Sequence, residues 1–134
     1  MDENDEKIIC KTILIGEGGV GKTCIILRFI NNVYQEGTPI TTGASFADKV
    51  LRIKEYNTNL EYKIWDTAGQ EKYRGLAKIF YKNADIVILV YDITRRKTFD
   101  EMKNYWHEQI KQNIARNISK IIFILFISYW SCRK

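Results

Sequence analysis

Eight consecutive residues, Gly16-Glu17-Gly18-Gly19-Val20-Gly21-Lys22-Thr23, place four glycines ahead of a lysine and a hydroxyl. The spacing is GxxxxGK[ST], a phosphate-binding loop when a strand precedes it and a helix follows. Glycine adopts positive φ at little cost, so the backbone can curl around phosphate oxygens. The N–H groups of residues 19–23 can then converge into an anion nest. The following helix adds the positive end of its dipole. Lys22 supplies a cation, and the Thr23 hydroxyl is a hard oxygen ligand suited to Mg²⁺. Downstream the chain reads Trp65-Asp66-Thr67-Ala68-Gly69-Gln70-Glu71. An acid such as Asp66 at a strand's carboxyl end can hold Mg²⁺ through a water. Gly69 offers a bare N–H to a γ-phosphate, and Gln70 can orient an attacking water.

These residues need positioning elements, and the hydrophobic pattern supplies them. Residues 7–15 are Ile-rich and read as a strand buried on both faces. Residues 22–30 carry apolar side chains at helical spacing. Asn31, Asn32, Gly37 and Pro39 mark a loop. Residues 46–56 and 60–65 read as two strands of an antiparallel hairpin, with 57–59 as the turn. Residues 66–82 are mixed and polar, with no element assigned. Residues 84–91 form a further buried strand. Residues 98–114 read as a helix, with Phe99, Met102, Tyr105 or Trp106, and Ile110 on one face and Thr98 or Asp100 as its cap. Residues 120–127 read as a last strand. Alternating strands and helices predict an α/β fold with a mostly parallel sheet, one antiparallel hairpin strand and helices on both faces.

The chain has 134 residues, 46% hydrophobic and 28% charged, which fits one domain spanning 1–134. Its net charge is +5, but no basic run interleaves with aromatics, so no nucleic-acid partner is expected. Cys10, Cys24 and Cys132 form no CxxC pair and no metal spacing with His107, and reduced thiols are expected. The acidic start MDENDEK is not a signal peptide, and Asp2 rules out N-myristoylation.

With both motifs in place, a family emerges. Aspartate-Thr-Ala-Gly-Gln after a phosphate loop resembles Ras-superfamily GTPases. KIWDTAGQE (63–71), LVYDIT (89–94), Tyr73-Arg74-Gly75-Leu76 and Phe80-Tyr81-Lys82-Asn83-Ala84 resemble Rab segments in order, and the details lean toward the endocytic subgroup. The resemblance covers residues 7 to about 118. It implies a P-loop NTPase G domain that binds GTP and GDP with Mg²⁺ and hydrolyses GTP as a switch in vesicle traffic. The implied nucleotide-binding set is Gly16, Glu17, Gly18, Gly19, Val20, Gly21, Lys22, Thr23, Cys24, Tyr34, Thr41, Asp66 and Gly69. Thr23, Thr41 and Asp66 (through water) would serve the metal, and Gln70 would be catalytic. Tyr34 would lean on the guanine base; its other reading is a surface aromatic. Phe46, Trp65 and Phe80 match the aromatics that Rabs show to effectors, or they are ordinary core. No arginine, Arg28 and Arg74 included, stands where one in cis would aid the transition state, so a GAP would supply it in trans. Exchange factors and effectors would read the segments 34–46 and 66–81, taken as loops ordered by the γ-phosphate. The protein would be a cytoplasmic monomer, associated with endomembranes in a complete form.

The likeness stops near Ser119. Rab proteins continue to NKxD and SAK-like segments that grip guanine, and residues 119–134 carry neither. Cys132 is third from the end, where a CaaX box needs a fourth, and 121–130 is too short to cross a bilayer. The G domain is therefore expected to be incomplete at its C-terminus, with a non-native tail, exposed apolar strand faces, a tendency to aggregate, weak nucleotide binding and poor discrimination of GTP from ATP. Two other readings stand beside the switch: a fragment that keeps phosphate binding without hydrolysis, and a P-loop ATPase or kinase, against which WDTAGQE speaks.

Overall fold

In the computed structural model, which describes residues 6–33, 44–67, 74–114 and 120–126, five strands form one sheet. The Ile-rich run becomes β1 (Glu6–Gly16), and the P-loop leads into α1 (Lys22–Asn31). The hairpin is β2 (Ala44–Ile53) and β3 (Thr58–Thr67). Helix α2 (Arg74–Tyr81), β4 (Ile86–Tyr91), α3 (Arg96–Glu101), a π-helical turn (Met102–Trp106), α4 (His107–Ile114) and β5 (Lys120–Phe126) follow. The sheet order is β2-β3-β1-β4-β5. Only β2–β3 is antiparallel; β1 pairs in parallel with β3 and β4, and β4 with β5.

Alternation along the central strands sends side chains to both faces. Ile13 and Ile15 of β1 join Val87 and Leu89 of β4 under Tyr81, Trp106 and Ile110. Leu14 and Val90 face the other way, with Val20, Ile26 and Ile64. Helix α1 thus covers one face, and α2 with the α3–α4 run covers the other.

Four expectations are corrected. First, β1 is not buried throughout: Ile8 and Ile9 are 49% and 58% exposed. On the face of Ile8 and Leu14, helix α1 starts beyond the far end of β1, and ten residues reach only about 15 Å, against roughly 36 Å for an eleven-residue strand. Second, the hairpin turn lies earlier than 57–59. A 3₁₀ turn at Lys54–Tyr56 ends on Asn57, whose left-handed φ of 50° lets its N–H reach the Lys54 carbonyl at 3.2 Å. Thr58 already pairs with Ile53. Third, residues 66–81 are not one loop: Asp66 and Thr67 end β3, and Arg74–Tyr81 is helical. Fourth, the helix expected from Thr98 begins at Arg96, and neither Thr98 nor Asp100 caps it. The Thr98 hydroxyl accepts from the Asp92 N–H at 2.9 Å and lies 2.8 Å from the Arg95 carbonyl, tying β4 to α3. Asp100 pairs with Arg96 instead.

Candidate functional site

The P-loop leaves β1 at Gly16, which pairs with Val90 of β4. A Cβ on Gly16 would lie 2.2 Å from the Val90 carbonyl oxygen, so this close approach admits only glycine. Gly21 sits at φ 100° immediately before α1, in left-handed space that also favours glycine. Its carbonyl accepts the first helical bond, from the Ile25 N–H at 3.0 Å. Between them Gly18 and Gly19 carry the turn, and Val20 plugs the loop into the core at 2% exposure. Cys24 is half-buried on α1.

Lys22 is buried, and its ammonium donates to the carbonyls of Gly16 at 3.0 Å and Glu17 at 2.8 Å. Burial pulls its pKa down from 10.5 to about 8, against the opposing pull of Asp66 and Glu17. The Thr23 hydroxyl donates to the Oδ2 of buried Asp66, so the two oxygen donors selected from sequence converge across 43 residues. Next to them the Thr67 hydroxyl donates to the Leu14 carbonyl at 2.6 Å and fixes the end of β3 against β1. A hydroxyl and a carboxylate side by side suit a hard cation such as Mg²⁺. Among the described residues no three His, Cys, Asp or Glu side chains cluster as a metal cage.

Tyr34, Thr41, Gly69 and Gln70 lie outside the described residues. Phe46, Trp65 and Phe80 form a continuous stack, with ring centroids 4.8 Å and 5.0 Å apart. Phe46 is 47% exposed, whereas Trp65 and Phe80 pack partly against the core. The stack is therefore surface at one end and core at the other.

Sequence reasoning missed three side chains around the loop. Arg95 donates from Nη2 to the Gly19 carbonyl at 2.9 Å and from Nε to Asp92 at 3.1 Å. Burial pushes the Asp92 carboxyl up, but hydrogen bonds from Thr94 and Arg95 outweigh it and hold it below its usual range. Arg74 reaches the Glu17 carboxylate, and the Trp106 indole donates to the same oxygen at 2.9 Å. Both arginines already face carboxylates, Asp92 for Arg95 and Glu17 and Glu101 for Arg74. No local spacing links residues 17, 74, 95 and 106; only the topology brings them together.

A glycine-rich loop between a parallel strand and a helix, with a buried lysine and a Thr–Asp pair at its mouth, defines a P-loop nucleotide-binding domain. Comparison with known proteins narrows the class. Residues 11–125 match the model of the Ras family. The chain is 44% identical to the "Ras-like GTP-binding protein RYL2" of Yarrowia lipolytica over 84% of its own length and 53% of that protein's. It is 38% identical to "Ras-related protein RabJ" of Dictyostelium discoideum (91% and 46% covered) and 38% identical to "Ras-related protein Rab-1" of Theileria annulata (84% and 50%). The chain belongs to the Ras family of small GTPases and is of the Rab type. Its relatives are spread over several Rab groups and do not single out the endocytic one. The chain spans about half the length of the curated relatives it matches.

Proposed function

We propose that this protein binds GTP and GDP with Mg²⁺ and hydrolyses GTP as a switch in membrane traffic. The observation that carries the reading is the convergence of Thr23 and Asp66 beside the buried Lys22 ammonium. The P-loop amides and Lys22 hold the phosphates and stabilise charge on the transferring phosphoryl group. Thr23, Thr41 and, through water, Asp66 would hold Mg²⁺, which would supply charge neutralisation at the phosphate oxygens. Gln70 orients the attacking water, and Tyr34 and Gly69 contact base and γ-phosphate. With Arg74 and Arg95 already facing carboxylates, intrinsic turnover is slow and a GAP completes the charge in trans. Effectors and exchange factors read the segments around Thr41 and Gln70, with Phe46 as the exposed end of the aromatic stack. No described helix is long and apolar enough to cross a membrane.

The test is equilibrium binding of GTP, GDP and ATP with Mg²⁺, followed by single-turnover phosphate release. Gln70→Leu should slow release by about 10²-fold with little change in GTP affinity, the signature of a group acting only in the transition state. No phosphate release from GTP, or release without Mg²⁺ dependence, would sink the reading.

A further inference from the structure

Strand β4 runs parallel to β1 with Val90 against Gly16, so the turn that leaves β4 stands next to the P-loop. That turn is closely bonded. The Arg95 N–H donates to the Asp92 carbonyl at 3.0 Å, and the Thr98 N–H donates to the Arg95 carbonyl at 3.0 Å. One oxygen of the Asp92 carboxylate accepts from the Thr94 N–H at 2.8 Å and from the Thr94 hydroxyl at 2.6 Å. The other accepts from Arg95 Nε at 3.1 Å. The Asp92 side chain is only 12% exposed. A carboxylate that closes its own turn while pairing with a cation leaves that cation little freedom. Arg95 is therefore held at its base, and its Nη2 reaches the Gly19 carbonyl at 2.9 Å.

The contact fixes one peptide of the P-loop. Gly19 sits at φ 74°, in left-handed space open to glycine. With no Cβ to restrict it, the plane between Gly19 and Val20 takes its direction from outside contacts. In a planar trans peptide the C=O and the following N–H point in opposite directions. With the Gly19 carbonyl turned to Arg95, the Val20 N–H is turned away from it. A cation on the carbonyl also polarises the peptide and strengthens that N–H as a donor. The helical run after Arg95 grips the loop a second time, where the Trp106 indole donates to Glu17 at 2.9 Å. That second contact holds a side chain, whereas Arg95 holds the backbone.

We propose that Arg95 is a positioning residue that sets the Gly19–Val20 peptide with its N–H toward bound phosphate, so that the anion nest is formed before a ligand arrives. The inference rests on the reading of the loop as a nucleotide-phosphate site. Arg95 acts through the peptide and is not a phosphate ligand: Asp92 takes its Nε and the Gly19 carbonyl its Nη2.

The experiment uses the full chain and the variants Arg95→Ala, Arg95→Lys and Arg96→Ala. The Arg95 and Arg96 side chains are 48% and 80% exposed, so none of these changes opens the core. Arg96 pairs with Asp100, and its loss removes the same charge one residue away from the contact. GDP and inorganic pyrophosphate are titrated with Mg²⁺, the second sensing the phosphate loop alone. Amide relaxation dispersion follows Val20 in the ligand-free chain, with Leu14 and Val90 as references. Arg95→Ala should weaken both probes by a common factor of about tenfold, the scale of one hydrogen bond to a charged group. Val20 should gain microsecond–millisecond exchange absent from the native chain. Arg95→Lys keeps a donor near the carbonyl and should recover part of both readings, while Arg96→Ala should match the native chain. Unchanged affinity in Arg95→Ala, or a loss for GDP without one for pyrophosphate, would overturn the proposal. So would an equal loss in Arg96→Ala, or affinity restored by Arg95→Lys while Val20 still exchanges, because charge rather than peptide orientation would then be at work. Should the native chain bind neither probe, the nucleotide reading fails on its own. Val20 then decides the positioning: new exchange in Arg95→Ala upholds it, and none sinks it.

Discussion

Lys22 is a buried cation facing two backbone carbonyls, and its titration near pH 8 gives the site a measurable signature. A phosphate placed beside it favours the charged form and raises its pKa. Above pH 8 the free site is increasingly neutral while the occupied site keeps its charge, so binding takes up a proton as pH rises past about 8. Affinity therefore falls as pH climbs beyond that point. The ligand-free stability moves the other way. The folded pKa lies below the unfolded one, the unfolded chain binds more protons between the two, and stability rises with pH between about 8 and 10.5. Calorimetry at pH 8.5 in two buffers of different ionisation heat should detect the uptake with GDP. Lys22→Arg, charged throughout, should abolish it. Equal heats for the native chain in both buffers would refute the assignment. At this scale the sequence was informative where chemistry dictates a local order. Gly16, Gly21, Lys22 and Thr23 follow from what phosphate demands of consecutive residues, and Asp66 from its place at a strand end. Arg74, Arg95 and Trp106 touch the same loop across long separations, and nothing in their own neighbourhoods announced it.

Elements were legible where one period dominates. The strands β4 and β5 and helix α1 came within two residues of their bounds, because uninterrupted apolar runs and a 3.6-residue period leave few alternatives. The errors fall where a polar side chain or an extra residue intervenes. Tyr105 and Trp106 both fitted the buried stripe of the helix, an ambiguity that the π turn resolves by admitting both. Asn57 takes the left-handed position that ends the 3₁₀ turn, which shifts the hairpin loop back to 54–57. Thr98 was read as a helix cap and is instead a buried bracket between β4 and α3, its hydroxyl serving the Asp92 N–H. Thr98→Val keeps the shape and leaves that N–H without its acceptor, which should cost about 1–3 kcal/mol. Thr98→Ser keeps the hydroxyl and should cost less. Urea denaturation of the three proteins checks the order, and Val as stable as Thr would mean the bracket contributes nothing.

At the scale of the molecule the question is whether the two faces of the sheet fold as one. The clusters under α1 and under α4 share no side chain, yet they share strands. Ile13 and Ile15 point to one face and Leu14 to the other; Val87 and Leu89 oppose Val90 in the same way. A strand cannot keep its pleat on one face after losing it on the other, so the faces should unfold in a single transition. Ile26, 7% exposed, reports on one face, and Ile110, fully buried, on the other. Each Ile→Ala change should cost about 2–5 kcal/mol through lost transfer energy and a residual cavity. Sites on opposite sides of a sheet have no common neighbours, so the double variant should lose close to the sum. That sum approaches the roughly 5–15 kcal/mol available to a domain, and the double variant should be largely unfolded at 37 °C. Circular dichroism and tryptophan fluorescence should follow coincident urea curves in each single variant. Two separated transitions, or a double variant no less stable than the worse single one, would show that α1 and α4 pack on independently folding layers. In that case the P-loop at the head of α1 could open without disturbing Trp106, and an anchor running from Glu17 to the π turn would couple nothing.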